Sequence, residues 1–126
     1  KLILLFGIIL TVIISSCTSQ QTTTVSGELD DFAKCLNEKG LKMYGSYTCA
    51  ICKKQRELFG PSFELVGEIE CHPRGENPET ERCLKMDIKK TPTWILEEDG
   101  VEIKRLDGYQ TIETLSELSG CSVQNG

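Results

Sequence analysis

The sequence predicts an α/β fold, a central mixed four-stranded sheet flanked by helices. Two observations predict it. Helical and strand hydrophobic periods alternate along residues 28–121. The last two strand-like runs are joined by Asp99-Gly100, a strong hairpin signal. The order is helix, strand, helix, strand, helix, strand, strand, helix. A strand–helix–strand unit followed by a hairpin and a closing helix makes an α/β sandwich around a mixed sheet.

Leu29, Phe32, Ala33 and Leu36 recur at i, i+3, i+4 and i+7. With Glu28, Asp30 and Asp31 in the first turn and Gly40 past the end, they predict an amphipathic helix. Leu41 to Tyr47 reads as a short strand. Cys49 to Phe59 reads as a second helix, stopped by Gly60-Pro61. Phe63, Leu65, Gly67, Ile69 and Cys71 alternate with Glu64, Val66, Glu68 and Glu70, which predicts a strand with one wet face. Pro78 to Met86 reads as a short helix. Thr93 to Leu96 and Val101 to Leu106 are the hairpin strands, and Glu97, Glu98 and Asp99 read as part of a solvated turn. Thr111 to Ser119 closes the domain as a helix, with Ile112, Leu115 and Leu118 on one face and Gly120 at its stop. Tyr44 and Tyr47 are expected to pack, and Trp94 to lie in the core or at the edge of a substrate groove.

Residues 2–14 form an uncharged, mainly apolar run of 13 behind Lys1. A membrane-spanning helix needs about 20 such residues, so the run fits the apolar stretch of a secretory signal better. It ends Ile14-Ser15-Ser16-Cys17, which resembles a bacterial lipobox, where cleavage precedes the cysteine and a lipid is attached to its sulfur. Residues 1–16 are therefore expected to be a lipoprotein-type signal peptide, with Cys17 as the lipidation site. An uncleaved signal anchor is the alternative. Residues 17–27 carry no charge and almost no apolar side chain, and read as a flexible tether. Residues 28–121 are enough for one domain around one core, and 122–126 form a tail. A net charge of −5 without a basic cluster argues against nucleic acid as a partner.

Seven cysteines are many for a chain of this size kept in a reducing compartment. Cys49 and Cys52 form a Cys-Ala-Ile-Cys tetrapeptide where a strand gives way to a helix. That spacing sets two sulfurs one turn apart, close enough for a small disulfide. The first sulfur lies where unpaired N–H groups and the helix dipole favour negative charge, and Lys53, Lys54 and Arg56 add to it. Cys49 is then the attacking nucleophile, and Cys52 resolves the mixed disulfide. Alternatively, the pair is half of a zinc or copper site completed by Cys71 or His72. The 18 residues between Cys52 and Cys71 suit a zinc ribbon. A ribbon needs a second close pair, however, and Cys71 is followed by His72. No metal or other cofactor is expected. Cys71 and Cys83 bracket a polar loop. A bridge between them would contribute about 3 kcal/mol through loop closure, as a structural staple or as a second redox pair.

Thr91-Pro92 opens the third strand, 40 residues from Cys52 to the proline. With it in place, residues 28–121 resemble the thioredoxin family. More narrowly, they are similar to the thioredoxin-like domain associated with homologues of vitamin K epoxide reductase. The matching stretches are Phe32-Ala33-Lys34-Cys35-Leu36, Lys42-Met43-Tyr44-Gly45, the dithiol, Glu57-Leu58-Phe59-Gly60, Glu70-Cys71, Thr91-Pro92-Thr93-Trp94 and Leu115-Ser116-Glu117-Leu118-Ser119-Gly120. The resemblance implies a thioredoxin-like fold in which Thr91 and Pro92, joined by a cis bond, hold an extended substrate beside the dithiol. It implies that Gly108 lets backbone approach that proline. It also implies a bridge between Cys35 and Cys121, because the first and last helices of that fold can meet; two free thiols are the alternative.

In function, the resemblance implies an extracytoplasmic thiol–disulfide oxidoreductase that exchanges disulfides with exported proteins. A membrane-embedded, quinone-linked thiol oxidoreductase would re-oxidise it, and the lipid anchor would keep it at the membrane. A reductase or isomerase running the same chemistry backwards is the alternative. The chain departs from the family at Thr48, where an aromatic is usual, and at Ile51, where a histidine is usual. Met43 replaces the buried carboxylate that many thioredoxins keep there.

Overall fold

The computed structural model describes residues 27–123. The expected signal peptide, Cys17 and nearly all of the tether lie outside the described residues, as does the end of the tail. Along the chain run α1 (Asp30–Glu38), β1 (Leu41–Gly45), α2 (Ala50–Phe59), a 3-10 helix (Gly60–Leu65), β2 (Gly67–Glu70), α3 (Thr80–Lys85), β3 (Thr93–Glu98), β4 (Val101–Asp107) and α4 (Ile112–Ser119). The strands form one mixed sheet in the order β2-β1-β3-β4. β1 and β2 are parallel across the α2 crossover, and the other pairs are antiparallel.

Period-two alternation divides the core between the two sheet faces. Leu41, Met43 and Trp94 meet Phe32, Leu36, Phe59 and Leu115 from α1, α2 and α4. Tyr44, Ile69 and Ile95 point to the other face, towards Cys83 and Met86. Phe59 joins helix to sheet, with ring centroids 6.2 Å from Phe32 and 6.3 Å from Trp94. Two disulfides brace this frame. Cys35 of α1 is bonded to Cys121 just beyond α4, and Cys71 after β2 is bonded to Cys83 of α3.

Three expectations need correction. The alternation from Phe63 to Cys71 predicts one strand, but a 3-10 helix occupies Gly60–Leu65 and β2 spans only Gly67–Glu70. Pro61 has no N–H for a ladder and suits a helical first turn. Phe63 turns to the Phe59 ring, 5.9 Å away, rather than to a sheet face. β1 stops at Gly45 because the chain turns at Ser46, whose carbonyl accepts from the Cys49 N–H at 3.1 Å. Tyr47 is consequently 53% exposed, edge-on to His72, and is not a packing residue.

The third correction concerns the hairpin. Glu97 and Glu98 extend β3, and only Asp99 and Gly100 turn, with φ of 51° and 75°. Two successive positive φ values are what a two-residue type I′ hairpin requires. The Glu97 side chain is only 7% exposed. Its carboxylate accepts from the Tyr44 hydroxyl at 2.6 Å and from Arg82 at 3.0 Å. Far from being solvated, it ties α3 to the sheet.

Candidate active site

β1 delivers the chain to the dithiol through a compact turn. Thr48 donates its N–H to the Ser46 hydroxyl, which also pairs with the Thr48 hydroxyl at 2.8 Å. Cys49 then serves as N-cap of α2, its sulfur accepting from the Cys52 N–H at 3.1 Å. Serine or aspartate usually fills that role. A sulfur placed there meets the free N–H groups and positive end of the helix, which stabilise a thiolate.

The two thiols are reduced and differ in character. Cys49 is half-buried and Cys52 is fully buried. Burial alone pushes the Cys49 thiol up. Hydrogen bonds with the side chains of Cys52 and Thr91 and with the N–H groups of Cys52 and Ile51 outweigh it and bring the thiol below its ordinary value. Cys52 goes the other way, pushed up to about 11 by burial and by its hydrogen bond to Cys49. The dithiol therefore loses its first proton from Cys49.

Thr91 and Pro92 lie beside it, joined by a cis peptide bond. The Cys49 thiol donates to the Thr91 carbonyl at 3.3 Å. Pro92 is buried, and its carbonyl accepts from the Gly108 N–H at 2.7 Å. The Gly108 φ of 84°, a conformation that favours glycine, turns its N–H onto the proline carbonyl, although a Cβ there would meet no atom within 4 Å. The four residues singled out in sequence, Cys49, Cys52, Thr91 and Pro92, thus converge on one site. Cys35, Cys121, Cys71 and Cys83 lie outside it as two closed bridges.

Sequence reading missed three supports of this site. Arg56 grips Glu68 of β2 with two nitrogens and donates to the Ser46 carbonyl at 3.3 Å. The Glu70 carboxylate accepts from the Tyr47 and His72 N–H groups, at 2.9 and 2.7 Å, joining the two loops that flank the dithiol. Gln55, fully buried on α2, bonds to Gln110 and Trp94. A polar residue among apolar helix positions was the available signal for Gln55. The Glu70 and Arg56 contacts depend on loops whose course the sequence does not reveal.

Two of the donors that the metal alternative would recruit have other partners. Cys71 is consumed in a disulfide, and His72 accepts the Arg74 N–H at its Nδ1. Among the described residues, no group of three or more His, Cys, Asp or Glu side chains is placed to hold a metal ion.

No protein-family model matches the chain. It is 35% identical over 95 residues to the thiol-disulfide oxidoreductase LTO1 of Arabidopsis thaliana, an alignment that covers 72% of this chain and 24% of that protein. The chain thus spans about a quarter of the length of that relative. Among solved structures, it is similar to thioredoxin NaTrxh of Nicotiana alata, with a TM-score of 0.46 and 17% identity over 69% of this chain and 75% of that one. It is also similar to the poplar thioredoxin h PtTrxh4, with a TM-score of 0.47 and 21% identity over 72% of this chain and 85% of that one. With its β2-β1-β3-β4 sheet and a dithiol capping the helix after β1, the chain has a thioredoxin-like α/β fold.

Proposed function

We propose that the chain is an extracytoplasmic thiol–disulfide oxidoreductase for exported proteins. One observation carries the reading: an accessible, acidified Cys49 caps α2, beside a buried Cys52 and 3.3 Å from the Thr91 carbonyl. In the oxidising direction, a substrate thiolate attacks the Cys49 sulfur of the Cys49–Cys52 disulfide and expels Cys52, which takes up a proton. A second substrate thiolate then attacks the substrate sulfur of the mixed disulfide and releases Cys49 as thiolate. Two electrons pass from substrate to protein, and one substrate disulfide forms. In the reducing direction the steps reverse, with Cys49 attacking and Cys52 resolving.

A stabilised Cys49 thiolate favours the reduced dithiol and therefore favours oxidation of substrates. The oxidising direction suits the apolar leader that runs up to Cys17 and the tether that follows it, which hold the domain at a membrane in this reading. Re-oxidation falls to a membrane-embedded, quinone-linked homologue of vitamin K epoxide reductase. The reductase or isomerase reading is the alternative, supported by Ile51, which contributes no positive charge to the thiolate. A reduction potential of about −120 to −180 mV supports the oxidant, and one near −270 mV the reductase. Cys49→Ser is expected to abolish turnover of a disulfide peptide, and turnover retained in that variant refutes the mechanism.

A further inference from the structure

We propose that Gln55 is a positioning residue for thiol exchange, setting the distance between the dithiol helix and the Thr91-Pro92 turn. The inference rests on the oxidoreductase reading above. Gln55 lies one turn beyond Cys52 on α2 and is fully buried. A buried amide is costly unless its polar atoms are bonded. Its Oε1 accepts from the Gln110 N–H at 2.8 Å and from Trp94 Nε1 at 3.3 Å, and its Nε2 donates to the Gln110 carbonyl at 3.0 Å. The side chain therefore pairs with both backbone groups of a single residue, as a neighbouring strand would.

Gln110 passes that grip onward. Its own amide donates to the carbonyls of Asp107 and Gly108, at 3.1 and 3.2 Å, so residues 107–110 hold together as a unit. Gly108 bonds the Pro92 carbonyl, and the Thr91 carbonyl takes the Cys49 thiol, about two turns before Gln55. The path from Gln55 through Gln110, Gly108, Pro92, Thr91 and Cys49 back to α2 is a closed ring. Trp94, two residues past Pro92, adds a cross-tie. Leucine would fill the same volume but fix no register. Packing alone does not require an amide here.

Exchange with a polypeptide needs Cys49 and the Thr91-Pro92 turn in register, and small misplacements are expensive in rate. The test is a single-turnover rate of the reduced protein with an unstructured peptide carrying one glutathione mixed disulfide. Gln55→Leu should lower the second-order rate constant about tenfold. Gln55→Glu supplies the discriminating readout. A protonated glutamic acid reproduces both the acceptor and the donor of the amide, whereas the carboxylate turns an oxygen onto the Gln110 carbonyl. Expressed per Cys49 thiolate, with that titration followed separately in each protein by thiolate absorbance, and divided by the wild-type value at the same pH, the Gln55→Glu rate should rise at least about fivefold from pH 8 to pH 5. Leucine should show no such rise.

Wild-type rates for Gln55→Leu, or a pH-independent Gln55→Glu ratio, overturn the proposal and leave the dithiol mechanism standing. If Gln55→Leu does not fold by circular dichroism, the Gln55→Glu ratio decides alone. Wild-type protein inert towards the peptide overturns the oxidoreductase reading itself, and this proposal with it.

Discussion

Deleting the Cys35–Cys121 bridge, by Cys35→Ala with Cys121→Ala, measures how much the fold relies on a crosslink between its two ends. The bridge spans 86 residues. Restricting an unfolded loop of that length contributes about 4.5 kcal/mol, against about 3 kcal/mol for the 12-residue separation of Cys71 and Cys83. The core near Cys121 is closed, because that residue is only 2% exposed, so loss of the sulfurs adds a small cavity cost to the entropy term. Domains of this size are stable by about 5–15 kcal/mol. The deletion should therefore remove a large fraction of the total. Guanidinium unfolding of the oxidised protein and of each double variant provides the assay. With a slope of about 3 kcal/mol/M, the midpoint should fall by about 1.5 M without the long bridge and by about 1 M without the short one. The order is the decisive result. Equal losses, or a larger loss from the Cys71–Cys83 pair, would refute the loop-length argument and place the stabilisation in native contacts.

Two further outcomes follow from the perturbed groups. Burial and the hydrogen bond to Glu97 push the Tyr44 hydroxyl up to about 12. A group kept neutral by the fold contributes stability that is complete below its unfolded value of about 10. That contribution is lost as the pH rises through its folded value. The urea midpoint should therefore fall between pH 10 and 12, and Tyr44→Phe should flatten that fall; an unchanged slope in the variant would refute it. Iodoacetamide applied to the reduced protein at pH 7 should modify Cys49 and spare buried Cys52, whose thiol is pushed up to about 11. Equal labelling by mass spectrometry would reverse the assignment of attacker and resolver.

Much of this molecule was legible in its sequence because local signals and the fold agree. The α1 periodicity, the Asp99-Gly100 turn and the stop at Gly60-Pro61 are each settled within a few residues. The dithiol was legible for the same reason, since Cys-x-x-Cys after a strand is a local pattern. Gly108 was read as a point of close backbone approach, and its N–H indeed meets the Pro92 carbonyl. What escaped depends on partners distant in sequence. Glu97 looks solvated beside Glu98 and Asp99 until β1 and α3 bring Tyr44 and Arg82 to it. Gln55 looks like an ordinary helix residue until the turn before α4 closes on it, 55 positions away. Phe63 to Cys71 misled because alternation is also what a 3-10 helix followed by a strand produces over so short a span.

The capping role of Cys49 has a bearing on the lifetime of the intermediate. In the reduced protein its sulfur satisfies the Cys52 N–H at the open end of α2. Once that sulfur is engaged in a mixed disulfide it has lost its negative charge, and it becomes a poorer acceptor. An unsatisfied helix cap costs about 1 kcal/mol. In the proposed exchange, a mixed disulfide at Cys49 would therefore weaken the first turn of the helix that carries the resolving thiol, and release of Cys49 as thiolate would restore it. Helix formation and product release are coupled through one atom. Relative to the reduced dithiol, a mixed disulfide at Cys49 would be disfavoured by roughly fivefold from this source, a cost that the equally neutral sulfur of a Cys49–Cys52 disulfide would share.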